Sequence, residues 1–440
     1  MMPNERFERQ LPQLLTELAA PRTPDYFDDL FRQTARTRQR PAWTFFERWV
    51  PMVDIARQPI LTSRLPLRTI GLGLVLVAVI LAAVAALAVG TQRNLPAPFG
   101  PARNGLVAFA RDGDIYTADP VSGRSVAITS GPEIDLRPVY SLDGSRLAFE
   151  RRMDGATGPG FLYVAEADGS RLIRLTPDAL RSIESYAFSP DGREIVFAAR
   201  PAGFSTLLVA KSDGSSPPRT LPVDSLSPSA PTYRPPDGGE IAFVGRRQGE
   251  STSGLYAIKA DGTGLRPIAE PENLIVMNAM WSPDGSRIAY DAYAVDYETG
   301  GSLLRAYIVG ANGQGGRNVR VVPDNDVQSA HAWSNDGTRL VLSECRVQAV
   351  DTTAECVATY VVVEADGNRP VVEIDVEAGV GGPGGHQQVW APDDTSILSI
   401  ALDGDGLTTS GSLLWDPLTG DSRPAPWADR GGVSWQRLAR

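Results

Sequence analysis

Cys345 and Cys356 are the two cysteines of the chain, and His331 and His386 are its two histidines. A thiol pair can close a disulfide, and an imidazole can bind a metal or move a proton at neutral pH. The cysteines close and open two apolar runs, Leu340-Val-Leu-Ser-Glu-Cys345 and Cys356-Val-Ala-Thr-Tyr360-Val-Val-Val, with ten residues between them. A bridge there would staple the base of a hairpin loop. It would be worth on the order of 3 kcal/mol by loop entropy, and it would imply an oxidising, extracytoplasmic setting. Two buried free thiols are the competing reading.

The histidines are too few and too scattered for a metal site. Asp403-Gly-Asp405-Gly opens like a calcium loop but lacks the later ligands, so it reads as a turn. No Gly-x-Ser-x-Gly run precedes a helix, which leaves no nucleophile elbow. No metal, cofactor or catalytic set is therefore expected, and binding is favoured over catalysis. A looser polar set remains: Arg137, Glu184, Asn278, His331 and Gln388, each just ahead of a recurring aromatic position. What these side chains could do depends on the elements that carry them.

Those elements repeat. From Gly105 onward the unit is an aromatic residue, then Ser-Pro-Asp-Gly or a variant, then a short apolar run. Examples are Phe188-Ser-Pro-Asp-Gly with Glu194-Ile-Val-Phe197 and Trp281-Ser-Pro-Asp-Gly with Arg287-Ile-Ala-Tyr290. Variants occur at Tyr140, Trp333 and Trp390, and a weak one at Arg234-Pro-Pro-Asp-Gly. Proline presets one turn dihedral, glycine supplies the positive one, and the β-branched and aromatic run beyond is a strand. Each Asp is thus predicted to be a turn residue rather than a catalytic carboxylate. A second tight turn follows each hairpin, as at Asp168-Gly169, Asp213-Gly214 and Asp261-Gly262. Four strands and two turns per unit describe a propeller blade.

The two ends of the repeat region are each incomplete. Leu106-Val-Ala-Phe109 has no aromatic strand before it, and Gly432-Val-Ser-Trp435 has nothing after it. Joined, they make a seventh blade that leaves no open sheet edge at the seam. Six blades is the alternative, should the weak unit near Arg234 be misassigned. The innermost strands would then line a central channel, with Arg137, Glu184, Asn278, His331 and Gln388 around it as a candidate pocket for a small ligand or peptide end.

These units resemble the repeats of the TolB family, in which Trp-Ser-Pro-Asp-Gly followed by an Ile-Ala-Phe strand recurs in every blade. The resemblance covers about residues 104–440. It implies a propeller used for binding or scaffolding alongside envelope proteins. The chain departs from the family in lacking its usual N-terminal α/β domain. A likeness to propeller-bearing peptidases stops at the propeller.

Ahead of the repeats, positions 69–92 carry no charge and are bracketed by Arg68 and Arg93. A helix of that length is about 36 Å long against a hydrocarbon core of about 30 Å, so it reads as one membrane span. Arg48, Arg57, Arg64 and Arg68 precede it closely, which favours a cytoplasmic N-terminus. A long cleaved leader is the competing reading. The net charge of −10 is uneven: residues 1–68 hold eleven Arg against eight acids, leaving an acidic remainder that argues against nucleic-acid binding. Only Lys211 and Lys259 are lysines, a bias toward Arg that suggests a GC-rich bacterial genome.

Within 1–68, Leu11, Leu14, Leu15 and Leu18 share one helical face. Thr23-Pro24-Asp25 reads as a helix start, and Thr44 with Glu47 as a capping box. Trp43, Phe46 and Trp49 make an aromatic approach to the bilayer. The layout of short helical segment, span and outer sensor is similar to that of membrane-spanning anti-sigma factors, though their zinc signature is absent. It implies a cytoplasmic partner such as a sigma factor.

The expected architecture is mainly β: a cytoplasmic helical segment (1–68), a transmembrane helix (69–92), a Pro-rich linker (93–103) and an extracytoplasmic TolB-like propeller (104–440). The expected role is that of a single-pass membrane protein whose propeller binds or senses an extracytoplasmic protein or small ligand. It would signal through the N-terminal helices or act only as an envelope scaffold. A propeller hydrolase or lactonase is the rival from another class.

Overall fold

The computed structural model describes residues 100–440, apart from 156, 181, 203, 224, 296–301, 324–325, 351–352, 368, 376–385, 403–408, 429–431 and 440. Every described residue falls in one compact unit, Val89–Arg440. The segments read as helical (1–68) and membrane-spanning (69–92) lie outside the described residues. No helix among the described residues is long and apolar enough to cross a membrane.

Among the described residues, seven antiparallel sheets follow one another around a ring. Blade 1 runs from Ile134 to Arg174, blade 2 from Ile183 to Thr220, and blade 3 from Leu226 to Ala269. Blade 4 spans Ile275–Asn318, blade 5 Val327–Asp375, and blade 6 His386–Pro424. Blade 7 takes its innermost strand, Val433–Leu438, from the end of the chain and its other three from Arg103–Ala127. Trp435 pairs with Val107 and Ser434 with Ala108, so the predicted closure from both termini is present. Blade 4 differs in that its innermost strand is split into Ile275–Val276 and Met280–Trp281, both on Arg287–Val295.

The core is a ring of apolar layers between neighbouring blades. Leu162 and Val164 of blade 1 meet Ile195 and Phe197 of blade 2, and the same packing recurs around the ring. The seam layer sets Val107 and Trp435 of blade 7 against Leu398, Ile400 and Leu414 of blade 6. Within blades, the aromatic of the second strand stacks on a tyrosine directly opposite in the third. Phe109–Tyr116, Phe149–Tyr163, Phe243–Tyr256 and Tyr290–Tyr307 have ring centroids 5.3 to 6.1 Å apart. Such cross-strand pairs help fix the register.

The turns behave as the sequence predicts, with one addition. Ser189 Oγ donates to Asp191 Oδ1 at 2.6 Å, Arg193 N to the same oxygen at 3.0 Å, and Gly192 closes the turn at φ +67. The pattern repeats at Asp143, Asp284 and Asp336. The glycine has a second reason to be there. A Cβ on Gly285 would lie 1.9 Å from the Pro235 carbonyl of the preceding blade, and one on Gly144 2.0 Å from the Arg437 carbonyl, so these two turns leave no room for a side chain, whereas Gly192 and Gly337 do.

Two expectations are corrected. In blade 3 the aromatic position is Tyr233, not Arg234; the turn is one residue longer, and Arg234 holds the serine's place, donating N–H to the Glu240 carbonyl. Eight of the ten residues between the cysteines, 346–350 and 353–355, are strand rather than loop. The strands run on as Arg339–Val350 and Thr353–Glu364, paired throughout, because the alternating run Arg346-Val-Gln-Ala-Val350 continues the ladder.

Candidate functional site

The five polar residues ahead of the aromatic positions lie on or between the innermost strand segments of blades 1, 2, 4, 5 and 6. Arg137 is in Ile134–Tyr140, Glu184 in Ile183–Phe188, His331 in Val327–Trp333 and Gln388 in His386–Trp390. Asn278 lies between the two short pieces that open blade 4. Several of these strands are bulged at this point, between Leu136 and Val139, Ile183 and Ser185, and Ala330 and Ala332. The extra residue re-aims the side chain and frees backbone groups for contacts across blades. Arg137 itself has φ +54, in the left-handed region.

Arg137 and Glu184 are brought together. The Arg137 guanidinium crosses to blade 2, donating to the Glu184 carbonyl at 2.5 Å and the Ile183 carbonyl at 2.8 Å. It also pairs with the carboxylate of Glu150 in its own blade, which takes Arg152 at 2.9 Å on its other oxygen. The Tyr186 ring lies under the guanidinium with its centroid 5.9 Å away, and its hydroxyl donates to the Arg137 carbonyl. Burial raises the Tyr186 pKa, keeping that donor protonated. The Glu184 carboxylate meets Arg200 at 2.5 Å and accepts from Ser205 Oγ at 2.7 Å. Three arginines and two glutamates thus form one fixed cluster, from which the Arg137 side chain stays 39% exposed.

The other three stand apart. Asn278 donates to Asp291 Oδ2 at 3.2 Å. His331 Nε2 lies 2.7 Å from Ser343 Oγ in its own blade. Gln388 is buried, and among the described residues neither its Oε1 nor its Nε2 has a partner.

Two groups escaped the sequence reading. Asp291, in the second strand of blade 4, is only 1% exposed and has no cation among its bonded partners. It accepts from Ser329 Oγ at 2.6 Å, Ala330 N at 2.9 Å and Asn278. Burial lifts its pKa to about 6, against the pull of those three bonds. It occupies the same blade position as Glu150, and polar residues at that position of an otherwise apolar strand were the available signal. The second is a pair of clefts beside blade 3, of about 490 and 360 Å³. They share Arg247 and Glu250; one reaches exposed Phe204, the other Tyr256 and Glu270.

Cys345 is buried and is not a free thiol. It faces Ala358 across the ladder, while Cys356 faces Val347, so the two stand two positions out of register on adjacent strands. The side chain of Cys356 and the Asp403–Asp405 turn lie outside the described residues. No group of three or more His, Cys, Asp or Glu poised for a metal occurs among the described residues.

No protein-family profile and no curated protein matches the sequence. Solved structures do resemble it. TolB from Acinetobacter baumannii is 16% identical over 68% of this chain and 68% of its own, with a TM-score of 0.43. An oligogalacturonate lyase from Vibrio parahaemolyticus is 16% identical over 70% of this chain and 89% of its own, with a TM-score of 0.49. Likenesses at that level reach no further than the fold, which the strand order itself fixes as a seven-bladed β-propeller.

Proposed function

We propose that the chain is a membrane-anchored binding module whose propeller recognises a small ligand or the end of a peptide outside the cytoplasm. One observation carries the reading. The guanidinium of Arg137 is held by two carbonyls of the next blade and by Glu150, while the side chain as a whole stays 39% exposed and its buried Nε has no partner among the described residues. A pre-organised cation on a rigid strand is suited to an anionic group such as a carboxylate. The enzymatic rival needs a converging acid–base or metal set. Here His331 is engaged by a serine hydroxyl, and Asp291 accepts bonds from neutral donors.

Titration calorimetry of the full chain against short peptides and small carboxylates tests this. Saturable binding weakened at least about tenfold by Arg137→Gln, in protein that still folds but melts lower for want of the Glu150 pair, is the expected result. No binding, or binding indifferent to residue 137, overturns it.

The anchored setting is supported by the uncharged stretch 69–92 and the arginines before it, and by the absence of a free thiol at Cys345. Pairing of Cys345 with Cys356 belongs to the same proposal. Alkylation without reductant should leave the mass unchanged, and two alkylated thiols would refute the pairing. Signalling to a cytoplasmic partner such as a sigma factor would run through residues 1–68. Full-length protein that captures no such partner leaves an envelope scaffold in its place.

A further inference from the structure

Most of the outer hairpin turns are two-residue Asp-Gly or Asn-Gly turns, but those of blades 6 and 7 are longer and alike. Asp119-Pro-Val121-Ser-Gly123 and Asp416-Pro-Leu418-Thr-Gly420 fold identically. In each, the Asp carboxylate accepts two backbone N–H groups: Val121 and Ser122 at 2.8 and 3.0 Å, Leu418 and Thr419 at 2.7 and 3.1 Å. In each, the glycine N–H returns to the Asp carbonyl. This scaffold holds an aliphatic side chain outward. Val121 is 83% exposed and Leu418 62%. Arg423 donates to the Pro120 carbonyl at 3.2 Å, so the two tips are neighbours. Val126 (55%) and, in blade 1, Leu172 (43%) extend the exposed apolar rim along the same side.

The polypeptide enters the propeller on this same face. In an up-and-down blade the first and third turns share one side, and the Gly100 carbonyl is bound there by Arg437 at 2.6 Å. Ala102 N donates to the carbonyl of Pro392 in the inner turn of blade 6. Seven residues, 93–99, separate that point from the uncharged stretch ending at 92, and they reach at most about 25 Å. A tether that short keeps the turn face of blades 6 and 7 beside whatever holds residue 92.

We propose that this rim rests on the bilayer, with Val121 and Leu418 inserted at the headgroup level. The inference rests on reading 69–92 as a membrane span. Exposed Arg124 and Arg423 flank the tips together with Asp119, Asp416 and Asp421, leaving no net positive charge there. The contact is therefore apolar rather than an electrostatic docking on anionic lipid, and the tether supplies the local concentration that two side chains alone could not.

The test uses the full chain in phosphatidylcholine vesicles, with Val121→Cys or Leu418→Cys carrying an environment-sensitive fluorophore. Val321→Cys, 73% exposed on the opposite face, is the control. Expected are a blue-shifted emission at 121 and 418 and roughly twofold quenching by lipids brominated near the headgroup, with none at 321. If the protein stays in the membrane after alkaline carbonate but all three probes behave alike, the docking falls and the span stands. If carbonate releases the protein, the span itself falls and takes the docking with it. A shift that needs added envelope protein and not lipid overturns the proposal in favour of a protein partner. Val121→Ser placed in the Leu418→Cys protein should melt as the single-cysteine protein does while the probe at 418 loses its shift.

Discussion

The Asp394 carboxylate accepts the backbone N–H of Asn335 at 2.6 Å and its side-chain amide at 2.8 Å. Both residues depart from the repeat. Asn335 stands where other turns have Pro or Leu, and Asp394 where other turns have Gly. A proline would have no N–H to give, and a glycine no carboxylate to receive it. Asp394 bears a φ of +62 that favours glycine, and its second oxygen takes Asp336 N at 2.9 Å. Two irregular blades are thereby joined turn to turn, and Arg437 from the last strand donates to the side-chain Oδ1 of Asn335 as well.

The two departures should therefore be coupled. Asn335→Pro alone leaves a half-buried carboxylate short of two donors, and Asp394→Gly alone leaves the Asn335 backbone N–H without its acceptor and the side-chain amide with only the Ala391 carbonyl. Each single change should cost about 1–3 kcal/mol. The double variant, which restores the repeat at both positions, should cost less than the sum by about 1–2 kcal/mol. Chemical denaturation of the four proteins measures this, and strict additivity would refute the coupling.

Asp291 predicts an unusual pH response. Burial raises its folded pKa to about 6 from 3.8. A carboxyl raised on folding adds stability that is complete below pH 3.8 and is lost as pH climbs through about 6. The loss attached to this group is on the order of 3 kcal/mol. Asp291→Asn should flatten the slope of stability between pH 4 and 7 relative to the parent. Equal slopes in the two proteins would rule the assignment out.

The turn aspartates predict the opposite sign at lower pH. Burial alone would raise Asp191, Asp284 and Asp336, but bonds from Ser and Thr hydroxyls and backbone N–H groups outweigh it and hold all three below the usual carboxylate value. Their contribution is present above the unfolded pKa and disappears as pH falls through the folded one. Asp284→Ala should cost about 1 kcal/mol at neutral pH, modest because the group is exposed. The difference from the parent should vanish near pH 2. A gap that persists there would mean that the charge is not what stabilises the turn.

The legible parts of this protein are the periodic ones. Tyr140, Phe188, Trp281, Trp333, Trp390 and Trp435 announce their strands because burial demands a large apolar side chain at the same place in each blade. Blade 3 hid its aromatic because Arg and Glu have changed places. In blades 4 and 5 the first residue of the second strand, Arg287 or Arg339, lies over the next blade's Trp, with the cation 5.4 or 5.1 Å from the ring centroid. Blade 3 has Glu240 there, and Arg234 from the turn covers Trp281 at 5.3 Å while pairing with Glu240 at 2.7 Å. The candidate site was legible only as a set of positions. That Arg137 reaches carbonyls of the next blade, or that Asp291 lies between two blades, depends on which strands become neighbours around the ring, and short-range spacing carries no record of that.

Closure by the final strand predicts that the two ends of the propeller melt as one. Trp435 is 6% exposed and packs with Val107, Leu398 and Leu414 in the seam layer. Ser434 Oγ accepts the Tyr140 N–H of blade 1 at 2.9 Å, so the last strand is tied to both neighbours. Trp435→Ala should cost about 3–5 kcal/mol, and Trp435→Phe should recover part of it by refilling the layer. Deleting 433–440 should do more, because it also bares the paired edge of Arg103–Arg111, an open strand edge that invites association between molecules. Thermal melting with light scattering reads both effects: a lower, broader transition and new aggregates on heating. A deletion that melts as the parent does and stays monomeric would mean that the ring owes its integrity to the six contiguous blades and not to the seam.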